Sequence, residues 1–345
     1  MKINKLFFQI LVLSAPFFLT ISFGPISANT KLLQTEACEP PAYLQRSWTE
    51  TDFSKCTIDL SEIISGGPGR DGIPPIDSPE FQSIKMTEAA DNEPVISIQV
   101  AGVAKAYPLS ILMWHEIVND TIAGMPIAVT YCPLCNTSIV FDRRSDDLLL
   151  DFGTTGSLRF SDLLMYDRQT LSFWQQYSGE AIAGDKAGAQ LEILPSRLES
   201  YALFKRRHPD GQIMAIPNNF QRRYGTNPYV GYDSSEFPFL FTGEVPEHIK
   251  PLERVVVFDE HAITLEYLKT KISITHQEYI VDWEAGQASA LDSVYIAKGR
   301  DVGNVTVRQK HSDAAMIDVP YKVTFAFVWH AFNPDRPIIG LKTGQ

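Results

Sequence analysis

Cys132 and Cys135, within Tyr131-Cys132-Pro133-Leu134-Cys135-Asn136-Thr137, put two sulfurs three positions apart. Such a pair closes onto one metal ion or onto itself, and in either case the thiolate is the reacting form. In thioredoxin-like enzymes the pair opens a helix whose dipole lowers the first thiol's pKa. Here the flanks, residues 127–131 (Ile-Ala-Val-Thr-Tyr) and 137–141 (Thr-Ser-Ile-Val-Phe), are rich in β-branched and aromatic side chains. The dithiol is therefore expected in a turn between two strands. Pro133 fixes φ just after the first cysteine, and Asn136 tolerates the left-handed conformation such a turn often needs. The preferred reading is a metal-binding knuckle for copper or zinc. A redox-active dithiol and a plain structural disulfide stand as alternatives, because the motif supplies two ligands and a closed zinc site takes four.

The other ligands must come from elsewhere in the chain. His115 is the first candidate, since it falls just before the strand that delivers the dithiol and neutral imidazole is the commonest metal ligand. The competing reading is a half-buried histidine with satisfied hydrogen bonds. Glu116 would point about 100 degrees away around a helix, so it is assigned to support the ligands rather than to join them. Met165 is the soft alternative: a thioether beside two cysteines and a histidine suits copper, whereas water in that position suits zinc. In Leu163-Leu164-Met165-Tyr166 it also reads as core. Asp162 is expected to approach from the segment after Gly156, again in a supporting place.

Other chemistries find less in the sequence. Asp162 with Asp167, or Asp151 with Asp185, has the residue types for acid–base work, but carboxylates at this density commonly lie on solvated turns. No Gly-x-Ser-x-Gly elbow is present, and Gly66-Gly67-Pro68-Gly69 lacks the Lys-Ser/Thr of a phosphate loop. A third class is a binding protein whose Trp114, Trp174, Tyr224 and Tyr229 hold a ligand such as a saccharide while the cysteines are structural.

The N-terminus indicates the compartment. Lys2 and Lys5 precede an apolar stretch over residues 6–23, and Pro25, Ser27 and Ala28 offer a cleavage point before Asn29. Residues 1–28 read as a secretory signal peptide, sending the protein to a periplasmic or extracellular destination. Gln9, Ser14 and Pro16 interrupt the stretch and favour cleavage over retention as an anchor. No later segment approaches the roughly 20 apolar residues of a membrane span, so no membrane association is expected after cleavage. Losing Lys2 and Lys5 takes the formal charge from -11 to -13, which gives no electrostatic footprint for nucleic acid. Export also favours a disulfide between Cys38 and Cys56, closing 17 intervening residues. Pairing with the Cys132 turn is the alternative.

The elements that position these residues read as mainly β with short helices, α+β being the alternative, in a sandwich- or barrel-like layout. Residues 29–65 form a disulfide-tied N-terminal segment and 66–345 a β-rich domain. Residues 95–100 and 103–107 pair as a hairpin across Ala101-Gly102, and residues 109–118 form a short helix. Turns recur every ten or so residues, as in sandwiches and barrels. A self-similarity at a spacing of 160 lays Glu93 to Tyr107 on Glu253 to Tyr267. It points to a duplicated β unit with sub-units at about 90–200 and 250–340, the second without cysteines. Residues 222–233 read as a turn-rich loop.

Several motifs in order carry a resemblance. Asp71-Gly72-Ile73-Pro74, Ala106-Tyr107-Pro108, Trp114 to Asp120, Tyr131 to Thr137, Ser161 to Arg168, Tyr224 to Tyr229 and the aromatic ending Phe325 to Asp335 together resemble an uncharacterised family of exported prokaryotic proteins, catalogued only as a domain of unknown function. The resemblance runs from about Asp71 to about Asp335 and implies no activity. Where that family usually follows the cysteine motif with glycine, this chain has Asn136.

Overall fold

The computed structural model describes residues 38–311 and 315–341. The signal-peptide reading and residues 29–37 of the N-terminal segment lie outside the described residues. What is described is mainly β, with short helices and several small sheets set in a ring, a propeller-like arrangement.

Two copies of one strand plan run through it. The first begins with a hairpin, β1 (Pro94–Val100) and β2 (Val103–Pro108), followed by a one-turn helix, α1 (Leu109–Leu112). A meander follows: β3 (Ile117–Ile122), β4 (Met125–Cys132) and β5 (Thr137–Asp142). Within the next stretch lie β6 (Phe152–Arg159) and β7 (Asp162–Asp167), after which β8 (Ile193–Leu194) returns to pair with β5. The unit closes with β9 (Arg197–Ser200) antiparallel to β1, α2 (Tyr201–Arg207), and β10 (Gln212–Met214) parallel to β2.

The second copy repeats the plan. Its hairpin is β11 (Arg254–Phe258) and β12 (His261–Thr264), followed by α3 (Leu265–Lys271). Its meander is β13 (Ser273–His276), β14 (Tyr279–Glu284), β15 (Asn304–Lys310) and β16 (Met316–Asp318). Then come β17 (Lys322–Phe325) antiparallel to β11, α4 (Ala326–Phe332), and β18 (Ile338–Ile339) parallel to β12. Sheet orders β9-β1-β2-β10 and β17-β11-β12-β18 match, the first with Phe81–Ser83 added beyond β10, as do β3-β4-β5-β8 and β13-β14-β15-β16. The duplicated β unit is therefore written in the topology. Pro94 and Arg254 open the two hairpins at the spacing of 160 seen in the sequence.

The first copy carries an insertion between β5 and β8. It builds a separate sheet in which Ile63–Ser65 from the N-terminal segment pairs with β6, β6 with β7, β7 with Phe173–Gln175, and that strand with Ala181–Ala183. That segment is joined to the sheet rather than appended to it. Trp48 packs edge-on against Tyr166 and Phe173, each with ring centroids 4.8 Å apart. Cys38 and Cys56 form the disulfide that ties this layer, and their bond fits an oxidising compartment. Reducing it alone is expected to cost about 3 kcal/mol on the loop-entropy account. Thermal melts of a Cys38→Ala/Cys56→Ala variant measure this; an unchanged midpoint would show that aromatic packing alone holds the segment.

The expected helix over 109–118 is shorter than its apolar run suggested. α1 stops at Leu112, and Glu116 lies at φ 58°, in the left-handed region. Ile117 and Val118 then begin β3, where β-branched side chains are better accommodated. All the residues of β5 and β7 are buried, as are residues 127–132 of β4.

Candidate functional site

The dithiol occupies the turn between β4 and β5. Cys132 pairs with Thr137 across the ladder, and the Asn136 amide donates to the Pro133 carbonyl at 3.2 Å. Asn136 has φ 51°, the left-handed value that asparagine adopts more readily than most residues. The connecting loop and the second copy hold the turn from outside. The Leu134 carbonyl accepts from the Tyr232 hydroxyl at 3.0 Å, and the Cys135 carbonyl accepts from Thr324 Oγ1 at 3.0 Å and the Phe325 amide at 3.3 Å. Thr137 and Thr324 share a 2.9 Å hydroxyl contact. A related clamp holds the start of β15, where Asn304 Oδ1 accepts from the Ser200 amide at 2.6 Å. Each meander is thus held by the last strand–helix junction of the other copy.

Both cysteines are free thiols, 2 % and 0 % exposed. The third member of their cluster is Asp162. Ligand atoms of Cys132, Cys135 and Asp162 all lie within 4.8 Å of one another. Phe160 and Ser161 make this possible: both have positive φ, 54° and 64°, as a two-residue hairpin turn between β6 and β7 demands. The turn lays the first residue of β7 against the sulfurs, and the Cys132 thiol donates to the Ser161 carbonyl at 3.5 Å.

Asp162 is held from one side only. Its Oδ2 accepts from Gln175 Nε2 at 2.6 Å and from the Tyr177 amide at 2.8 Å. Oδ1 is buried and meets no nitrogen or oxygen donor among the described residues, while the Cys135 thiol adjoins the carboxyl. Burial pushes Asp162 up to about 6, against the pull of Gln175 and the Tyr177 amide. Burial also raises both thiols, Cys135 well above its ordinary value, with Cys132 and Asp162 adding to the shift. The Cys132–Cys135 contact works the other way on Cys132, favouring its thiolate. Lys322 of β17 donates to the Tyr177 carbonyl at 2.5 Å, and loss of solvent brings it down to about 8, with the Asp162 charge opposing.

The structure does not bring His115 to the sulfurs, which corrects its assignment as a ligand. Its ring is fully buried, Nδ1 lies 2.7 Å from the Pro74 carbonyl, and Nε2 lies 2.7 Å from the Tyr224 hydroxyl. Both nitrogens are occupied, so the imidazole orients the Pro74 and Tyr224 loops. Asp162, placed in support from sequence, is the residue inside the cluster. Met165 lies three residues along β7, opposite Thr154 and Trp174, in the main apolar core. The aromatic residues proposed to hold a saccharide have these places: Tyr229 lines a cavity beside Cys132, and the other three make hydrogen bonds within the protein. Trp174 is fully buried with Nε1 bonded to Asp167, Trp114 bonds the Thr226 carbonyl, and Tyr224 bonds His115.

Glu116 was expected beside the ligands, and it borders the same space as Cys132. A cavity of about 80 Å³ has both among its walls, otherwise mostly apolar. Burial, with the Asp162 charge adding, pushes Glu116 up to about 8 from its ordinary 4.5. The folded state therefore holds a proton that the unfolded chain releases near pH 4.5, so unfolding between these values sheds a proton and becomes easier as pH rises. Stability is expected to fall from pH 5 to pH 8, and Glu116→Gln to flatten that slope by about 2 kcal/mol or more. Denaturant titrations at the two pH values measure it; a slope unchanged by Glu116→Gln would assign the dependence to another group.

The family described as "Protein of unknown function (DUF3179)" matches residues 70–336. The chain belongs to this family. The match starts after the disulfide-tied segment and takes in both copies of the strand plan and the dithiol turn. No curated protein and no solved structure matches the chain. Among the described residues of this DUF3179 member, no helix is long and apolar enough to cross a membrane.

Proposed function

We propose that this DUF3179 protein is exported and holds one transition-metal ion through Cys132, Cys135 and Asp162. The observation that carries the reading is the three-atom cluster itself: two thiols and a carboxylate within 4.8 Å of one another. The buried Asp162 Oδ1, without a nitrogen or oxygen donor, supports it, since a buried polar atom left unpaired is costly and a cation would satisfy it. Two sulfurs and a carboxylate oxygen suit zinc, and the thiolates alone suit copper(I). The charged Lys322 nearby offsets part of the negative charge that two thiolates and a carboxylate would bring together. Export rests on the N-terminal Lys-flanked apolar stretch together with the Cys38–Cys56 disulfide.

Metal analysis of protein purified from its native compartment tests this. About one ion per chain is expected, falling to none in Cys132→Ser/Cys135→Ser. A stoichiometric ion retained by the double variant would remove the assignment.

One observation favours a second reading. Cys132 borders the cavity while Cys135 does not, and Asp162 adjoins Cys135. In a dithiol exchange, the Cys132 thiolate would attack a substrate disulfide, and Cys135 would resolve the mixed disulfide after passing its proton to Asp162. A glutathione titration separates the two readings: a potential below roughly -300 mV marks a structural pair and excludes this exchange.

A further inference from the structure

Glu116 is the residue that three donors leave unused. Its φ of 58° lies in the left-handed region, which strains a residue with a Cβ. The strain is held by two backbone bonds, from the Glu116 amide to Leu112 O at 2.7 Å and from the Tyr131 amide to Glu116 O at 2.8 Å. The residue is only 8 % exposed, yet its carboxyl makes no hydrogen bond or ion pair with any described residue. A buried, unpartnered carboxyl carries a desolvation cost. Strain and desolvation thus fall on one side chain, and that side chain borders the cavity shared with Cys132.

The rest of the wall is mostly apolar, with Ile73, Leu134, Leu158, Leu163, Leu240 and the ring of Tyr229 on it, and no lysine, arginine or histidine lines it. Thr154 and Ser157 also line it, but their hydroxyls are bonded to the Ile73 carbonyl and the Tyr43 hydroxyl. Its 80 Å³ is about half the 150 Å³ void that takes benzene, which leaves room for about three non-hydrogen atoms, the reacting end of a small molecule. An anion entering would find no counter-charge and would have to shed its water. A neutral molecule with one polar end would find a mostly apolar wall and, in Glu116, a carboxyl without another partner among the described residues.

We propose that this cavity is a binding chamber for a small neutral molecule, apolar in body, whose one polar head meets the Glu116 carboxyl beside the Cys132 sulfur. The chamber deepens the metal reading, because three protein donors leave a tetrahedral ion one position for an outside ligand. It rests on that reading only for this consequence. The void and Glu116 belong to the metal-free protein and are tested there.

The probe is iodoacetamide, a neutral five-atom molecule, compared with the anion iodoacetate on reduced, chelator-treated protein at pH 9. In each case the Cys132 sulfur displaces iodide from the CH2 carbon, a C–S bond replaces C–I, and the thiol proton passes to buffer. Peptide mapping reads the rate at each cysteine. Iodoacetamide is expected to label Cys132 about tenfold faster than Cys135. The iodoacetamide-to-iodoacetate ratio at Cys132 should exceed that of the same chain unfolded in guanidinium by about tenfold, the cost of desolvating an unpaired carboxylate being at least about 1.4 kcal/mol.

Leu158→Phe, which fills the chamber from its half-buried wall, should slow labelling of Cys132 by about tenfold. Should that variant not fold, Leu240→Ala widens the chamber and should raise the iodoacetamide rate several-fold. A folded-state ratio equal to the unfolded one, or rates indifferent to the wall variant that folds, would overturn the chamber. Chamber labelling as expected in a protein that binds no metal would retain the chamber and retire the metal site alone.

Discussion

Asp162→Asn is expected to weaken zinc binding by about 100-fold or more, while His115→Ala leaves the affinity within about threefold. The contrast follows from placement. Asp162 belongs to the cluster with the two sulfurs, and its Oδ1 meets no nitrogen or oxygen donor among the described residues. Asparagine keeps the shape and the Oδ2-side contacts in part, but it removes the charge that a cation would meet. Changes to groups that merely orient ligands cost about 10–100-fold, so losing a donor should reach the upper end or pass it. His115 has both nitrogens committed to Pro74 and Tyr224, and its loss should show in stability instead. The affinity should also climb steeply with pH. Both thiols are raised by burial, so below their pKa values each bound ion displaces two protons. The affinity then gains up to about 100-fold per pH unit. Competition against a chromophoric zinc chelator at several pH values measures all three effects. Equal affinities for Asp162→Asn and wild type would show that the carboxylate is not a donor.

What could be read from the sequence was the chemistry that is local. The strand–turn–strand around the dithiol follows from β-branched flanks, Pro133 and Asn136, all within a dozen residues. The Cys38–Cys56 bond follows from the only two cysteines outside that turn. His115 failed because an apolar run at helical spacing hid a reversal at Glu116, where the chain leaves the helix through a left-handed residue. Nothing in Trp114-His115-Glu116 announces that conformation; a local bond back to Leu112 and a tertiary one from Tyr131 hold it. Asp162 reaches the sulfurs from the next sheet, across a turn of two positive-φ residues that are not glycine. Phe160-Ser161 carries none of the usual signals for such a turn, so the acid could be named but not given its place. The spacing of 160 holds through the hairpin and is lost at the meander, where β3 and β13 begin 156 residues apart, and the insertion after β5 separates the copies further.

The loop over residues 222–233 had no periodicity, yet it contains the charge that should matter most for stability. Asp233 is buried between two guanidinium groups: Arg254 NH1 lies 2.8 Å from its Oδ2, and Arg300 NH1 lies 2.7 Å from its Oδ1. Ser289 donates to the same carboxylate at 2.5 Å. Arg254 is itself buried at the start of β11, so it has no water to turn to if its partner is lost. Arg300 is partly exposed and can turn outward. Asp233→Asn is therefore expected to cost about 3–5 kcal/mol, since removing one partner leaves a buried charge uncompensated. That corresponds to a fall of about 10 °C in melting temperature for a chain of this size. The pH dependence separates the pair from generic packing. Burial alone would raise the Asp233 pKa, but Arg254, with Arg300 and Ser289, outweighs it and holds the group below 3.8. A depressed carboxylate stabilises the fold above its unfolded pKa and loses that contribution as pH falls through the folded value. The gap between wild type and Asp233→Asn should accordingly be full at pH 6 and narrow progressively as pH falls below about 4. Because the neighbouring Tyr232 hydroxyl holds the Leu134 carbonyl of the dithiol turn, loss of Asp233 should also loosen that turn. Zinc affinity should then fall together with stability. A variant as stable as wild type at pH 6, with unchanged metal affinity, would show that Arg254 finds another partner and that the loop does not hold the site.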